Sequence, residues 1–279
     1  MKIYSIETQC FMIDGGAMFG VVPKAIWKKR YPCDGNNLCN NAIRNLLVVT
    51  DDRRILIDTG IGTRMPESFL KYQYINGDDT LLGSLKKHGY SPEDITDLIF
   101  THLHWDHSGG ALIDDKNGNP KPQFPNAKMW VSRQQWEWAN SSNLREEAAY
   151  PEHLIKPLNT FGKLNFIDED TELYPGIELR LHNGHTKGLL IPVIKANKTT
   201  VVYAGDLIPS TANIPPIYLS AYDIYPMDAI DEKVKILKEI TENNYVVIFQ
   251  HDINVEAATI EETLKGYKVK ETLKIEDVN

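Results

Sequence analysis

Residues 101–110 read THLHWDHSGG, so three histidines and an aspartate, His102, His104, Asp106 and His107, fall within six positions. An ordinary apolar core has no use for imidazoles so closely spaced. Imidazole and carboxylate together are the donor types that hold zinc, iron, manganese or cobalt. Residues two apart on an extended segment face the same side, which pre-aligns His102 and His104 on one position. Asp106 and His107 follow on the next turn, ahead of Ser108-Gly109-Gly110, where the chain is free to curl them toward a second position. Neither position is complete, because each ion of a zinc-class pair needs at least three protein donors. Further donors stand at the ends of later apolar stretches: His185 in HNGHTKG after IELRL, Asp206 in YAGDL after TTVVY, and His251 in FQHD after YVVI.

Such donors converge only if strands ending at a common edge present them. KIYSIETQCFMI, NLLVVT and RRILIDTG are short, rich in Ile, Leu and Val and bounded by turn residues, as strands are. TLLGSLKKHGY has helical spacing and ends in a glycine, and SPEDITDLIFTH reads as a capped turn leading into a strand. KMWVS, LNFID, IELRLHN, LLIPVIKA, TTVVYAGDL and YVVIFQHD continue the strand series, with RQQWEWANS and LREEAAYPEHLIKPL helical. DAIDEKVKILKEITENN predicts an amphipathic helix with Ile230, Val234, Leu237 and Ile240 on one face. EAATIEETLKG predicts another helix, and YKVKETLKI a final strand. Two strand-rich halves, each followed by helices, predict an α/β domain spanning residues 1–279, its sheets packed face to face with helices outside. The segments Thr63 to Asp79 and Pro209 to Pro226 are long and weakly periodic, the kind of loop that walls a binding site.

Thirty Lys and Arg against 38 Asp and Glu leave a formal charge of −8, which repels phosphate backbones and anionic membrane surfaces. A small-molecule substrate is the expected partner, with no nucleic acid and no membrane. Cys10, Cys33 and Cys39 form no CxxC pair, against both a disulfide scaffold and a zinc ribbon. Glu7 and Gln9 interrupt the N-terminus before any signal-like apolar run, so the expected location is cytoplasmic.

HxHxDH at 102–107, with GHT at 184–186, AGD at 204–206 and QHD at 250–252, resembles the metallo-β-lactamase-fold hydrolases over nearly the whole chain. The resemblance implies an αββα sandwich with the site at one edge. It implies one metal on His102, His104 and His185, a second on Asp106, His107 and His251, and Asp206 bridging both. ILIDTG at 55–60 matches a further element of that family, in which Asp58 stands behind the histidines and holds them in one tautomer. The implied cofactor is two divalent transition-metal ions, zinc first, with iron, manganese and cobalt also suited to the donors. Such a pair generates a shared hydroxide near neutral pH, and Asp106 is placed to take its proton and pass it to the leaving group. A redox enzyme is the alternative from another class. Flavo-diiron reductases resemble HxExD where this chain has His104, and a sulfur dioxygenase needs only the first of the two positions.

DGGAMFGVVPKAIWKKRYP at 14–32, GDLIPS at 205–210 and AYDIYP at 221–226 resemble the branch containing N-acyl-homoserine lactone lactonases and methyl parathion hydrolase. Met18, Phe19, Val21, Val22 and Trp27 are then expected to form an apolar wall, which suits a neutral lactone or carboxylic ester better than a charged phosphate. Organophosphate hydrolysis is the alternative within the branch, where homodimers are common. Lys187 stands where many relatives have proline, and Leu207-Ile208-Pro209 where some lactonases place a tyrosine. Tyr218 and Tyr222 are the candidate substitutes. Trp105, set among the donors, is expected to pack beneath or beside the site.

Overall fold

The computed structural model describes residues 1–279. Its first sheet is built from β1 (Lys2–Glu7), β2 (Arg44–Val49), β3 (Arg54–Ile57), β4 (Asp97–Ile99), β5 (Lys128–Ser132) and β6 (Leu164–Ile167), lying side by side in chain order. The second holds β7 (Thr171–Tyr174), β8 (Ile177–His182), β9 (Leu189–Lys195), β10 (Thr200–Tyr203), β11 (Val246–Ile248), β12 (Ala257–Thr263) and β13 (Gly266–Leu273), again in chain order. Pairing is parallel across β3, β4, β5 and β6 and between β10 and β11, and antiparallel elsewhere.

Both faces of each sheet are covered, which is why strands such as NLLVV are apolar at consecutive positions. Leu46, Val48, Ile55, Ile57 and Ile99 meet Leu179, Leu190, Ile194, Val201 and Ile248 between the sheets. On the outer side of the first sheet, Leu47, Leu56 and Leu98 pack under helix α1 (Leu81–Lys87) through Leu81 and Leu85. On the outer side of the second, Leu189, Ile191, Val202 and Val247 pack under helix α2 (Pro226–Asn243) through Ile236, Leu237 and Ile240. The order is helix, sheet, sheet, helix. No helix is long and apolar enough to cross a membrane.

Two expectations from periodicity are corrected. EAATIEETLKG is not a helix: it forms β12 and the turn into β13, with Gly266 at φ +97°. The open edge of β11 offers backbone partners to Ala257, Ala258 and Thr259, and this pairing overrides the segment's weak helical preference. Helix α2 stands where expected, but its buried face is Ala229, Lys233, Ile236, Leu237 and Ile240, while Val234 is exposed. The shift arises because Lys233 is buried: its Nζ donates to the carbonyls of Asn213 at 2.5 Å, Tyr218 at 3.1 Å and Pro215 at 3.3 Å. A lysine scored as polar turns the apparent apolar stripe partway around the helix, with Leu237 and Ile240 common to the expected and observed faces.

The chain's strand order brings the C-terminal ends of β3, β4, β8, β10 and β11 to one edge of the sandwich. β4, β8, β10 and β11 are each followed by one of the donor segments read from the sequence, and β3 by Asp58.

Candidate metal centre

After β4 the chain bends at Thr101, runs without regular structure to His104, then makes one helical turn, Trp105–Ser108, that carries Asp106 and His107. Gly109 and Gly110 explain themselves here. A Cβ on either would collide with the carbonyl oxygens of Ile61 and Thr59, so only glycine lets this turn press against the segment after β3. Thr59 N and Gly110 N seal the contact, donating to His107 O at 2.7 Å and Gly60 O at 3.1 Å.

The side chains of His102, His104, His185 and Asp206 converge in one group, and those of Asp106, His107 and His251 in another, donor atoms in each lying within 4.8 Å of one another. Asp206 joins the groups: its Oδ1 lies 3.0 Å from His251 Nε2 and 3.5 Å from His107 Nε2, its Oδ2 3.2 Å from His185 Nε2 and 3.9 Å from His102 Nε2. Oδ1 is buried with no hydrogen-bond donor.

Each imidazole has its outward nitrogen on an acceptor. His102 Nδ1 faces Thr101 Oγ1 at 3.0 Å, His107 Nδ1 faces Asp58 Oδ2 at 3.0 Å, and His251 Nδ1 faces the carbonyl of Ala42 at 2.8 Å. His104 is reversed, its Nε2 on Glu146 Oε1 at 2.9 Å and its Nδ1 turned inward, and His185 Nδ1 meets Asp223 Oδ1 at 2.9 Å. With the outer N–H groups engaged in this way, the inner nitrogens present lone pairs to one another, His102 Nε2 only 2.9 Å from His104 Nδ1. Converging lone pairs beside a buried carboxylate with an orphaned oxygen call for cations, and the donor set fits divalent metal ions.

The electrostatics agree. Burial, reinforced by neighbouring His107 and His104, holds His102 well below the usual histidine range, which keeps its inner nitrogen free of a proton. Burial would also lower His107, but Asp106 and Asp206 outweigh it and raise this group well above its ordinary value. A proton and a metal ion compete for that lone pair, and the field that attracts the one attracts the other. Burial would raise Asp206, yet His107, His251 and His185 hold it well below the usual carboxylate range.

Asp58 is fully buried in a left-handed backbone conformation, φ +59°, and accepts from Thr101 N and Oγ1, His107 Nδ1 and Gln250 Nε2. Two comparable acceptors escaped the sequence reading. Glu146 lies in an irregular stretch of what reads as helix, and Asp223 in a loop recognisable only as a wall; neither has motif context. Burial alone would raise Glu146, but the hydrogen bond from His104, with others, brings it to about 2.

The centre opens into a cavity of about 440 Å³. Both loops expected as walls contribute, Phe69 and Gln73 from one and Pro209, Ser220, Tyr222 and Ile224 from the other. Trp105 lines the cavity too, wedged edge-on between Phe11 and Phe69 with ring centroids 5.9 and 5.2 Å away. Of the expected apolar wall only Met18 lines the cavity, joined by Phe11 and Ile13. Phe19 and Trp27 stack at 5.0 Å inside a separate small core with Tyr31 and Cys39, against which Val22 and Tyr218 also pack, and Val21 is 96% exposed. The segment forms two helical turns, Gly15–Phe19 and Lys24–Trp27, so neighbouring apolar residues point in different directions. Lys187 adds no free cation at the rim: its Nζ sits over the rings of Tyr225 and Trp138 at 5.3 and 5.9 Å.

The model of the metallo-beta-lactamase superfamily matches residues 43–251. An N-acyl homoserine lactonase of Bacillus cereus is 30% identical over 242 residues, covering 79% of this chain and 85% of its own. A probable metal-dependent hydrolase from Staphylococcus aureus superposes with a TM-score of 0.86 at 30% identity, covering 98% of both chains. AidC, a dizinc quorum-quenching lactonase solved with N-hexanoyl-L-homoserine as product, superposes with a TM-score of 0.78 at 25% identity, over 98% of this chain and 95% of its own. The extent of the family match, on a helix-sheet-sheet-helix sandwich carrying a His and Asp centre, makes this chain a member of the metallo-beta-lactamase superfamily and a metal-dependent hydrolase.

Proposed function

We propose that the protein hydrolyses a lactone or carboxylic ester bearing an apolar portion, using two divalent ions, zinc in the first instance. His102, His104 and His185 would hold one, Asp106, His107 and His251 the other, with Asp206 shared. The observation that carries the reading is the pairing of two donor groups through the two oxygens of Asp206, at the floor of a cavity walled by Phe11, Ile13, Met18, Phe69 and Trp105. When bound, the ions would supply Lewis acidity for the carbonyl and acidify a solvent nucleophile.

The chain's own residues do the rest. The apolar wall excludes bulk water and grips the apolar part of the substrate, orienting the carbonyl toward the centre. Asp106 lines the cavity with its carboxylate 3.6 Å from His107 Nε2, so it faces both the donors and the substrate space. Water adds to the acyl carbon, the acyl C–O bond breaks, and Asp106 carries the proton from the attacking water to the departing oxygen. Of the two candidate tyrosines, Tyr222 lines the cavity wall and Tyr218 does not. The N-acyl homoserine lactonases among the relatives support a lactone as the first substrate to try.

A panel of acyl-homoserine lactones, aryl esters, thioesters and phosphotriesters tests the substrate class, with turnover expected on lactones or esters. Activity confined to phosphorus centres would replace this reading with organophosphate hydrolysis. Metal analysis of protein purified without chelator is expected to approach two ions per chain. Asp206→Ala is expected to lose both ions and turnover together, and near-normal hydrolysis in that variant removes the shared role.

A further inference from the structure

The five imidazoles do not rest on the same kind of support. The acceptors behind His107 and His251 belong to the sheet framework. Asp58 directly follows β3 and is locked by Thr101 and Gln250, while Ala42 lies just before β2. Arg44, at the start of β2, fastens the chain on both sides of His251 by donating to the carbonyls of Phe249 at 2.6 Å and Asp252 at 3.1 Å. His104 and His185 rest instead on carboxylates carried by cavity-lining segments outside the strands, Asp223 in the expected wall loop at 209–226 and Glu146 in a third stretch outside both expected loops. Glu146 belongs to the stretch whose Arg145 and Ala149 line one part of it, Asp223 to the stretch whose Ser220, Tyr222 and Ile224 line another. Both carboxylates are buried, 4% and 5% exposed, and neither is held by a strand. Glu146 also accepts from Trp138 Nε1 at 2.6 Å and Tyr150 Oη at 2.8 Å, and Asp223 from Ser220 N at 3.1 Å. The Arg145 guanidinium donates to the carbonyl of Ala221, so the two segments are tied to each other.

We infer that the two ion positions are held unequally: the position of His102, His104 and His185 depends on these cavity-lining segments through Glu146 and Asp223, whereas that of Asp106, His107 and His251 is set by the sheets. The inference rests on the two-ion reading above. Loops open locally at lower free-energy cost than strands. A ligating histidine that loses its outer acceptor loses its orientation and preferred tautomer, which typically lowers metal affinity by about 10- to 100-fold. Glu146 and Asp223 are therefore positioning residues for one ion only, and the first position is the exchangeable one. Movement of the cavity walls reaches that ion and leaves the other in place.

The test titrates the full-length, metal-depleted protein with zinc against a chromophoric chelator, and separately with cobalt while recording its visible spectrum. Wild type is expected to bind two ions. In Glu146→Ala and Asp223→Ala one ion weakens by roughly 10- to 100-fold while the other keeps its wild-type affinity. Glu146→Gln and Asp223→Asn retain an acceptor oxygen and are expected to recover part of that loss, with the cobalt bands of the weakened position following the same order. These near-isosteric variants also carry the test if the alanine variants fail to fold. Equal weakening of both ions, or unchanged binding of both in all folded variants, overturns the unequal support while leaving two ions intact. A wild-type protein that binds a single ion overturns the two-ion reading and the inference with it.

Discussion

Asp58→Asn isolates a single charge and a single acceptor at a position where the backbone itself tolerates the change. Asparagine accepts the left-handed conformation seen at φ +59° nearly as well as aspartate, so backbone strain contributes little. The carboxylate takes four hydrogen bonds: Oδ1 from Thr101 N at 2.8 Å, Oδ2 from Thr101 Oγ1 at 2.7 Å, His107 Nδ1 at 3.0 Å and Gln250 Nε2 at 3.1 Å. An amide that keeps its oxygen on Thr101 N turns its NH2 toward the other three. The threonine hydroxyl can rotate to accept and the Gln250 amide can turn its otherwise unpartnered Oε1 to the new NH2, which leaves His107 Nδ1–H buried against a donor. At about 1–3 kcal/mol for a buried unsatisfied group, the loss is about 1–3 kcal/mol. His107 can escape by moving its proton to Nε2, but this removes the lone pair it turns toward Asp206 and Asp106. The cost then appears as metal affinity, lower by roughly 10- to 100-fold. Urea unfolding of metal-free protein reads the first outcome and a zinc titration the second. If Asp58→Asn stays within about 0.5 kcal/mol of wild type and binds zinc equally well, the carboxylate does not set the His107 tautomer and the argument fails.

Lys233 gives a stability signature with a definite sign. Burial lowers its ionisation from the ordinary 10.5 to about 7, with Asp223 opposing. Between those values the folded chain binds fewer protons than the unfolded one, so stability rises with pH across that window. Lys233→Met should be less stable overall, through loss of its carbonyl contacts, and should flatten the rise; urea midpoints at neutral and alkaline pH that run parallel to wild type refute this. Tyr222→Ala removes about 1–2 kcal/mol of apolar contact from the cavity wall and should raise KM by roughly 5- to 30-fold on the best substrate of the panel. Val21→Ala, at a residue 96% exposed, should leave steady-state kinetics unchanged, and a matching rise in KM there would restore Val21 to the wall.

Much of the centre was legible because metal donors are rare types whose spacing has few structural alternatives. His102, His104, Asp106 and His107 announce themselves, and His185, Asp206 and His251 each follow an apolar run that forms a strand. The same is not true of the groups behind them. Glu146 and Asp223 are ordinary acidic residues in a chain with 38 of them, and nothing local separates a surface carboxylate from one that holds a histidine. The cavity wall was misread for a related reason. Apolar composition at 18–27 predicts a wall, but composition carries no direction, and the helical turns at 15–27 send Phe19 and Trp27 into their own core.

Local chemistry in the sequence thus determined the donor inventory, the strands that end in it and the glycines that let the turn after β4 close against residues 59–61. Tertiary structure decided which loops lend acceptors to which histidine, which aromatic rings face the substrate, and where a buried lysine replaces an apolar side chain on α2. Donor identity is a property of one residue, whereas support and orientation belong to pairs brought together from positions as distant as Asp58 and Gln250, and such pairs exist only once the sheets have packed.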